Sequence, residues 1–265
     1  MHGLVLVEYI HRLIAFLATV FIVYNAWRSF RKRRGDVLIR WLALLSVFLL
    51  LLQSMLGALI VVMKLPGWFT TIDVSNSLIL LAVLGAMTAV GVREVRDRKH
   101  LQVVHSKETR RFEALRWPAG VTTIAIFIQT VIGGFFRHSG ESQALFGQDS
   151  YLLSHFQHSM PSIDVSVVML IVHISFTAVV VAAIVWLTFS VVKIGFHRTP
   201  VIALLALTAY QAVVGIVSLQ TKLSLISDTL HFAGAAAMIL ISGYVWMMVL
   251  LEGHTGKITE PLATQ

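Results

Sequence analysis

Residues 50–81 read LLLQSMLGALIVVMKLPGWFTTIDVSNSLILL, and residues 208–239 read TAYQAVVGIVSLQTKLSLISDTLHFAGAAAMI. A constant offset of 158 superposes Gln53 on Gln211, Gly57 on Gly215, Lys64 on Lys222 and Leu65 on Leu223 without a gap. The same offset sets Asp73 against His231. Further upstream, with the connecting loop changed by four residues, His11 falls on His173. Q-x-x-x-G also arises by chance in apolar helices, where small residues at four-residue spacing are common packing devices. Several coincident identities, two lysines among them, favour an internal duplication over chance.

Both copies sit in sequence that belongs in a bilayer. Of 265 residues, 57% are hydrophobic and 13% charged, and mean hydropathy is +0.82, far above a soluble domain of this length. A spanning helix needs about 20 mostly apolar residues. Seven windows qualify: about 4–27, 41–63, 70–92, 117–136, 163–191, 200–218 and 226–250. The first holds Glu8 and His11 and no small-residue cleavage site, so it reads as a retained helix and not a removed signal peptide. The expected fold is an all-α polytopic membrane protein of about seven transmembrane helices in two pseudo-symmetric halves, a three-helix plus a four-helix bundle. The fourth span has no counterpart ahead of the first, as expected of an ancestral eight-helix protein whose leading helix this chain lacks.

The net charge of +8 is unevenly placed. WRSFRKRRGDVLIR (27–40) and REVRDRKHLQVVHSKETRRFEALR (93–116) are strongly basic and VKIGFHR (192–198) modestly so, while the alternate loops carry one Lys or Arg each. By the positive-inside rule the basic loops are cytoplasmic, the N-terminus lies outside and the C-terminus inside, as expected for the plasma (inner) membrane. The basic clusters read as topology signals and contacts to anionic membrane lipids, and no nucleic acid partner is expected. Cysteine is absent, which excludes disulfides, thiolate metal sites and thiol catalysis.

His173 and His231 fall inside the fifth and seventh spans, toward the outer end in both cases, and His11 lies on that side of the first span. An ionisable residue at such depth is costly and by default marks a function. Two facing helices can clamp a heme iron between one imidazole from each. Zinc would need a third and fourth ligand that the repeat does not supply, and hydrogen bonding to a neighbouring helix is the bland alternative. Arg137, Lys222 and Lys64 are candidate cations for heme propionates, although each can equally snorkel. In the first half the pair is His11 with Asp73, and a carboxylate is a poor substitute for imidazole on heme iron. Glu8 stands one turn before His11 on the same face, where the second half has Leu170. A carboxylate there can move protons or pair with Arg12. The loop RHSGESQALFGQDSYLLSHFQHSMPS (137–162) adds His138, His155 and His158, a weak candidate for copper or zinc and otherwise a lid or connection.

EYIHR (8–12), LLLLQSMLGALIVV (49–62), GGFFRHS (133–139) and QAVVGIVSLQTKLSLISDTLHFAG (211–234) together resemble the heme A synthase family, membrane enzymes that convert heme O to heme A for terminal oxidases. The resemblance covers all seven spans. It implies two four-helix halves, with a heme b cofactor on His173 and His231 in the second. His11 then ligates the substrate heme O in the first half, and Glu8 is the catalytic carboxylate beside a methyl group oxidised to the formyl group of heme A. The departures fall on the first half: Asp73 replaces a histidine, and the family's first-loop cysteines and leading helix are absent.

The expected organisation is an N-terminal half (1–92) with the substrate-heme site, a basic cytoplasmic linker (93–116), a C-terminal half (117–252) with the heme b site, and a cytoplasmic tail (253–265). Three functions compete. The first is a divergent heme A synthase-like oxidoreductase with Glu8 catalytic, heme b as its electron-transfer cofactor, an unidentified electron acceptor, and a heme O synthase or oxidase subunits as neighbours. The second is a non-catalytic b-type heme subunit for electron transfer or oxidase assembly. The third is a transporter or heme-free scaffold, for which duplication alone speaks, although the halves share one orientation and are not inverted.

Overall fold

The computed structural model describes residues 2–32, 36–99, 112–147, 161–195 and 198–255. Eight helices are present among them: α1 (His2–Lys32), α2 (Val37–Met63), α3 (Trp68–Lys99), α4 (Arg116–His138), α5 (Glu141–Phe146), α6 (Ile163–Ile194), α7 (Arg198–Gln220) and α8 (Leu225–Thr255). Seven are long and apolar enough to cross a membrane, all except the six-residue α5. The chain is an all-α integral membrane protein. Each helix extends a few residues beyond its hydrophobic window because backbone groups near hydrocarbon are most cheaply satisfied within a helix. Asp36 caps α2 by accepting from the Ile39 amide at 3.2 Å, and Ser162 caps α6 by accepting from the Val165 amide at 3.4 Å. Gly195, at φ 82°, ends α6.

The repeat has a counterpart in the packing. At the centre α3 crosses α8, and two glycines make the crossing close: a Cβ added at Gly85 would lie 2.2 Å from the Leu240 carbonyl oxygen, and one at Gly243 would lie 2.7 Å from that of Ala82. The offset of 158 carries Gly85 to Gly243 and Ala82 to Leu240. The two contacts are therefore one contact seen twice, the mark of a two-fold relation between the copies. The turns at the far ends of α2 and α7 repeat too. Lys64 (φ 49°) and Lys222 (φ 53°) both adopt the left-handed conformation, and the next amide reaches back in each case, Leu65 to Ile60 O at 3.2 Å and Leu223 to Ser218 O at 2.8 Å. The matching lysines thus end two matching helices, and their side chains are exposed.

Burial is uneven along the membrane normal. The main core joins Leu115, Ala119, Ala125 and Ile126 of α4 to Val180, Ile184, Leu187 and Val191 of α6, Leu204 of α7, and Ile239, Val245 and Met248 of α8. Most of these lie toward the end that carries the basic connectors. There Arg93 donates to the Leu251 carbonyl at 3.0 Å and Arg96 pairs with the buried Glu252. At the opposite end α6 keeps only Ser166 buried between residues 163 and 179, so the second half-bundle loosens where its histidines sit. A smaller cluster of Ile22, Leu49, Leu80 and Val83 holds α1, α2 and α3 together.

Candidate functional site

His173 on α6 and His231 on α8 lie within electrostatic range of one another at the loosened end. Each is supported the same way by a neighbouring helix. Against His173 stands Gly133 of α4, where a Cβ would come within 2.8 Å of the imidazole Cε1. Against His231 stands Gly215 of α7, where the same atom would lie 3.2 Å from Cε1. One turn before each glycine is a glutamine aimed at the backbone of the histidine residue. Gln129 Nε2 donates to the His173 carbonyl at 3.0 Å and Gln211 Nε2 to that of His231 at 2.8 Å. The fit around Gln211 depends on Gly234, where a Cβ would come within 2.1 Å of the Gln211 nitrogen.

The ring nitrogens differ in their freedom. Gln129 Nε2 also donates to Thr177 Oγ1 at 2.7 Å and lies 3.3 Å from His173 Nδ1. An amide nitrogen has two hydrogens for these three acceptors, so the longest contact does not fix the tautomer of His173. His231 Nδ1 is buried with no hydrogen-bond partner among the described residues. In both rings Nε2 is the nitrogen farther from the supporting glycine, at 3.9 Å and 4.0 Å. Phe136 stacks beside His173 with centroids 6.0 Å apart and planes 17° apart.

Such a pair can ligate a metalloporphyrin. Two imidazoles on different helices are a sufficient protein donor set for heme iron, and glycine at both supports leaves the rings where a Cβ would displace them. No cluster of three or more His, Asp or Glu side chains suited to a bare metal ion occurs among the described residues.

Around this pair the predicted cations divide. Arg137, at the end of α4, donates from Nε to Asp228 Oδ2 at 2.6 Å, and Ser218 donates to the other carboxylate oxygen. Asp228 stands three residues before His231, so Arg137 is drawn to the histidine end of α8 while its side chain stays 23% exposed. Lys222 and Lys64 are exposed at their turns.

In the first half, Gln53 repeats the glutamine but reaches a different atom. Its Nε2 donates to Asp73 Oδ1 at 2.7 Å, while its Oε1 accepts from Asn76 Nδ2 at 2.8 Å. Asn76 also donates to the Leu49 carbonyl at 2.9 Å. The offset sets Asn76 on Gly234, so the first half places a second amide where the second half has a glycine packed against Gln211. A Cβ at Gly57 would meet nothing within 4 Å. Glu8 and His11 fall on α1, but their side chains lie outside the described residues.

The connection after α4 forms a cap. Gly67 lies against the end of α4, where a Cβ would fall 2.0 Å from the His138 carbonyl oxygen, and His138 Nδ1 is 3.2 Å from Thr71 Oγ1. His155 and His158, the other members of the expected loop cluster, lie outside the described residues. Glu141 is buried on α5 with Oε2 unpartnered among the described residues, and burial pushes its carboxyl above the ordinary range.

Gln129 and Gly133 are not among the residues expected from the sequence. Residues 129–133, QTVIG, repeat the Q-x-x-x-G of 53–57 and 211–215 but lie outside the offset of 158. Neither is Asp228, whose partner is 91 residues away.

A comparison with curated proteins finds no match. A family model described as cytochrome oxidase assembly protein matches residues 1–242, all seven spans except the end of α8. The chain therefore belongs to the cytochrome oxidase assembly protein family, the heme A synthase family that its motifs resemble, and its role lies generally in oxidase assembly and heme A synthesis.

Proposed function

We propose that the chain is a heme A synthase-like oxidoreductase that oxidises a methyl group of heme O to the formyl group of heme A. The observation that carries the heme b assignment is the matched support of His173 and His231, each ring seated against a glycine of the adjacent helix. In this reading the C-terminal half (117–252) holds heme b through the two imidazoles, and Arg137 and Lys222 lie toward its propionates. When bound, heme b supplies one-electron transfer to an acceptor outside the chain. Asp228 holds Arg137 at the rim, and Phe136 covers one side of His173.

The N-terminal half (1–92) is assigned to the substrate, heme O, on sequence position. His11 is its strong ligand, Lys64 lies on the side of its propionates, and Glu8 is the catalytic carboxylate. Beside the reacting methyl, Glu8 would accept a proton from attacking water or stabilise positive charge developing at carbon. The placement is the plasma (inner) membrane with the N-terminus outside, the basic linker (93–116) and tail (253–265) cytoplasmic, and a heme O synthase or oxidase subunits as neighbours.

One observation favours the second reading, a non-catalytic b-type heme subunit. Asp73 is bound to Gln53 in the amide network with Asn76, which ties that position of α3 to α2. Expression with a source of heme O and extraction of the bound hemes separates the two. The enzyme yields heme A with heme b, and Glu8→Ala abolishes heme A while leaving the heme b spectrum unchanged. Heme b alone at one per chain supports the second reading.

A further inference from the structure

We propose that Gln129 with Gly133, and Gln211 with Gly215, are positioning clasps that set the height and rotation of the His173 and His231 imidazoles; this rests on the heme b reading above. The two clasps share one geometry. In each, the glutamine amide adds a hydrogen bond to the carbonyl of the histidine residue, at 3.0 Å and 2.8 Å, which fixes that level of one helix against the next. One turn on, the glycine brings helix backbone to the ring edge, at the 2.8 Å and 3.2 Å separations a Cβ would have from Cε1. The ring can rotate toward the supporting helix no further, so its orientation is held from that side.

Ordinary packing accounts for a glutamine or a glycine alone, since interhelical amide bonds and small residues are the usual cement of membrane helices. It does not account for their association with an imidazole. The third copy of the motif separates the two explanations. Gln53 faces Asp73 in place of a histidine; there the amide bonds the side chain instead of the carbonyl, and Gly57 faces open space. Where the ring is absent, the glycine has nothing to support. The clasp on α4 lies outside the repeat of offset 158, which does not include residues 129–133.

Ring orientation about the iron–nitrogen bond governs the low-field line in the EPR spectrum of a ferric low-spin bis-imidazole heme. A rearranged clasp therefore moves that line even when heme stays bound. The full chain is purified in detergent as wild type and as Gly133→Ala, Gly215→Ala, Gly57→Ala, Gln129→Met and Gln211→Met. EPR spectra and heme retention on dilution are compared. The largest shift is expected from Gly133→Ala, a smaller one from Gly215→Ala and none from Gly57→Ala, in the order of the separations. The two Met variants shift the line, and retention falls about tenfold, as is common when a group supporting a metal ligand is removed. Unchanged lines in both Gly215→Ala and Gln129→Met overturn the proposal, even if Gly133→Ala does not accumulate. An equal shift from Gly57→Ala also overturns it. A wild-type protein without a low-spin heme signal rejects the heme b reading itself, a result distinct from either.

Discussion

At the crossing of α3 and α8, a methyl group at Gly85 would lie 2.2 Å from the Leu240 carbonyl oxygen, where ordinary contact begins near 3.4 Å. The helices must part by about 1.2 Å to admit it. At Gly243 the corresponding distance is 2.7 Å, and the required parting is about 0.7 Å. Overpacking of this kind costs roughly 1–3 kcal/mol, with the larger share expected for Gly85→Ala. Because the two contacts are related by the pseudo-two-fold, one separation of the helices relieves both. The double variant should therefore cost well under the sum of the single ones, with a coupling of about 1 kcal/mol. Gly57→Ala, which meets nothing within 4 Å, is the internal control and should change stability by under about 0.5 kcal/mol. Reversible unfolding in mixed micelles, followed by tryptophan fluorescence, measures all four. Additive single effects, or a Gly85→Ala protein as stable as wild type, would refute the interlocked crossing.

Glu141→Gln tests the cap. Burial raises the Glu141 carboxyl, so the folded state holds its proton more tightly than the unfolded chain, and stability is lost as pH rises from the ordinary carboxylate value upward. The Gln variant should lose that slope and be the more stable protein at neutral pH, as thermal unfolding in detergent across pH would register; an unchanged slope contradicts the assignment. Thr122→Val removes the hydroxyl that donates to the Ala183 carbonyl at 3.0 Å from a fully buried position. The expected loss is about 0.6 kcal/mol, typical of a hydrogen bond between membrane helices, and the same micelle assay should resolve it from zero.

The spans were legible because hydrocarbon demands long apolar helices, and all seven windows lie within helices of the structure. The duplication was legible from Gln53 and Gln211, yet its physical content appears only in the fold. Lys64 and Lys222 match because both end helices in left-handed turns, a property no hydropathy pattern carries. Gly85 and Gly243 match because each lies against the other's helix. The His173 and His231 pair could be picked out by depth and repeat. The α4 support for His173 is hidden from the repeat because QTVIG stands outside the offset of 158. The Arg137–Asp228 contact links α4 to α8, and sequence-local reasoning has no access to such pairings. Lys222 and Lys64 were assigned as cations by type and depth alone.

The most direct test of the account is the visible spectrum of the purified protein with pyridine hemochrome quantitation, alongside His173→Ala and His231→Ala. The account predicts one heme b per chain with a low-spin signal in the wild type, and loss of that signal in both variants. A preparation without a Soret band, or a low-spin signal that survives in both variants, would contradict it.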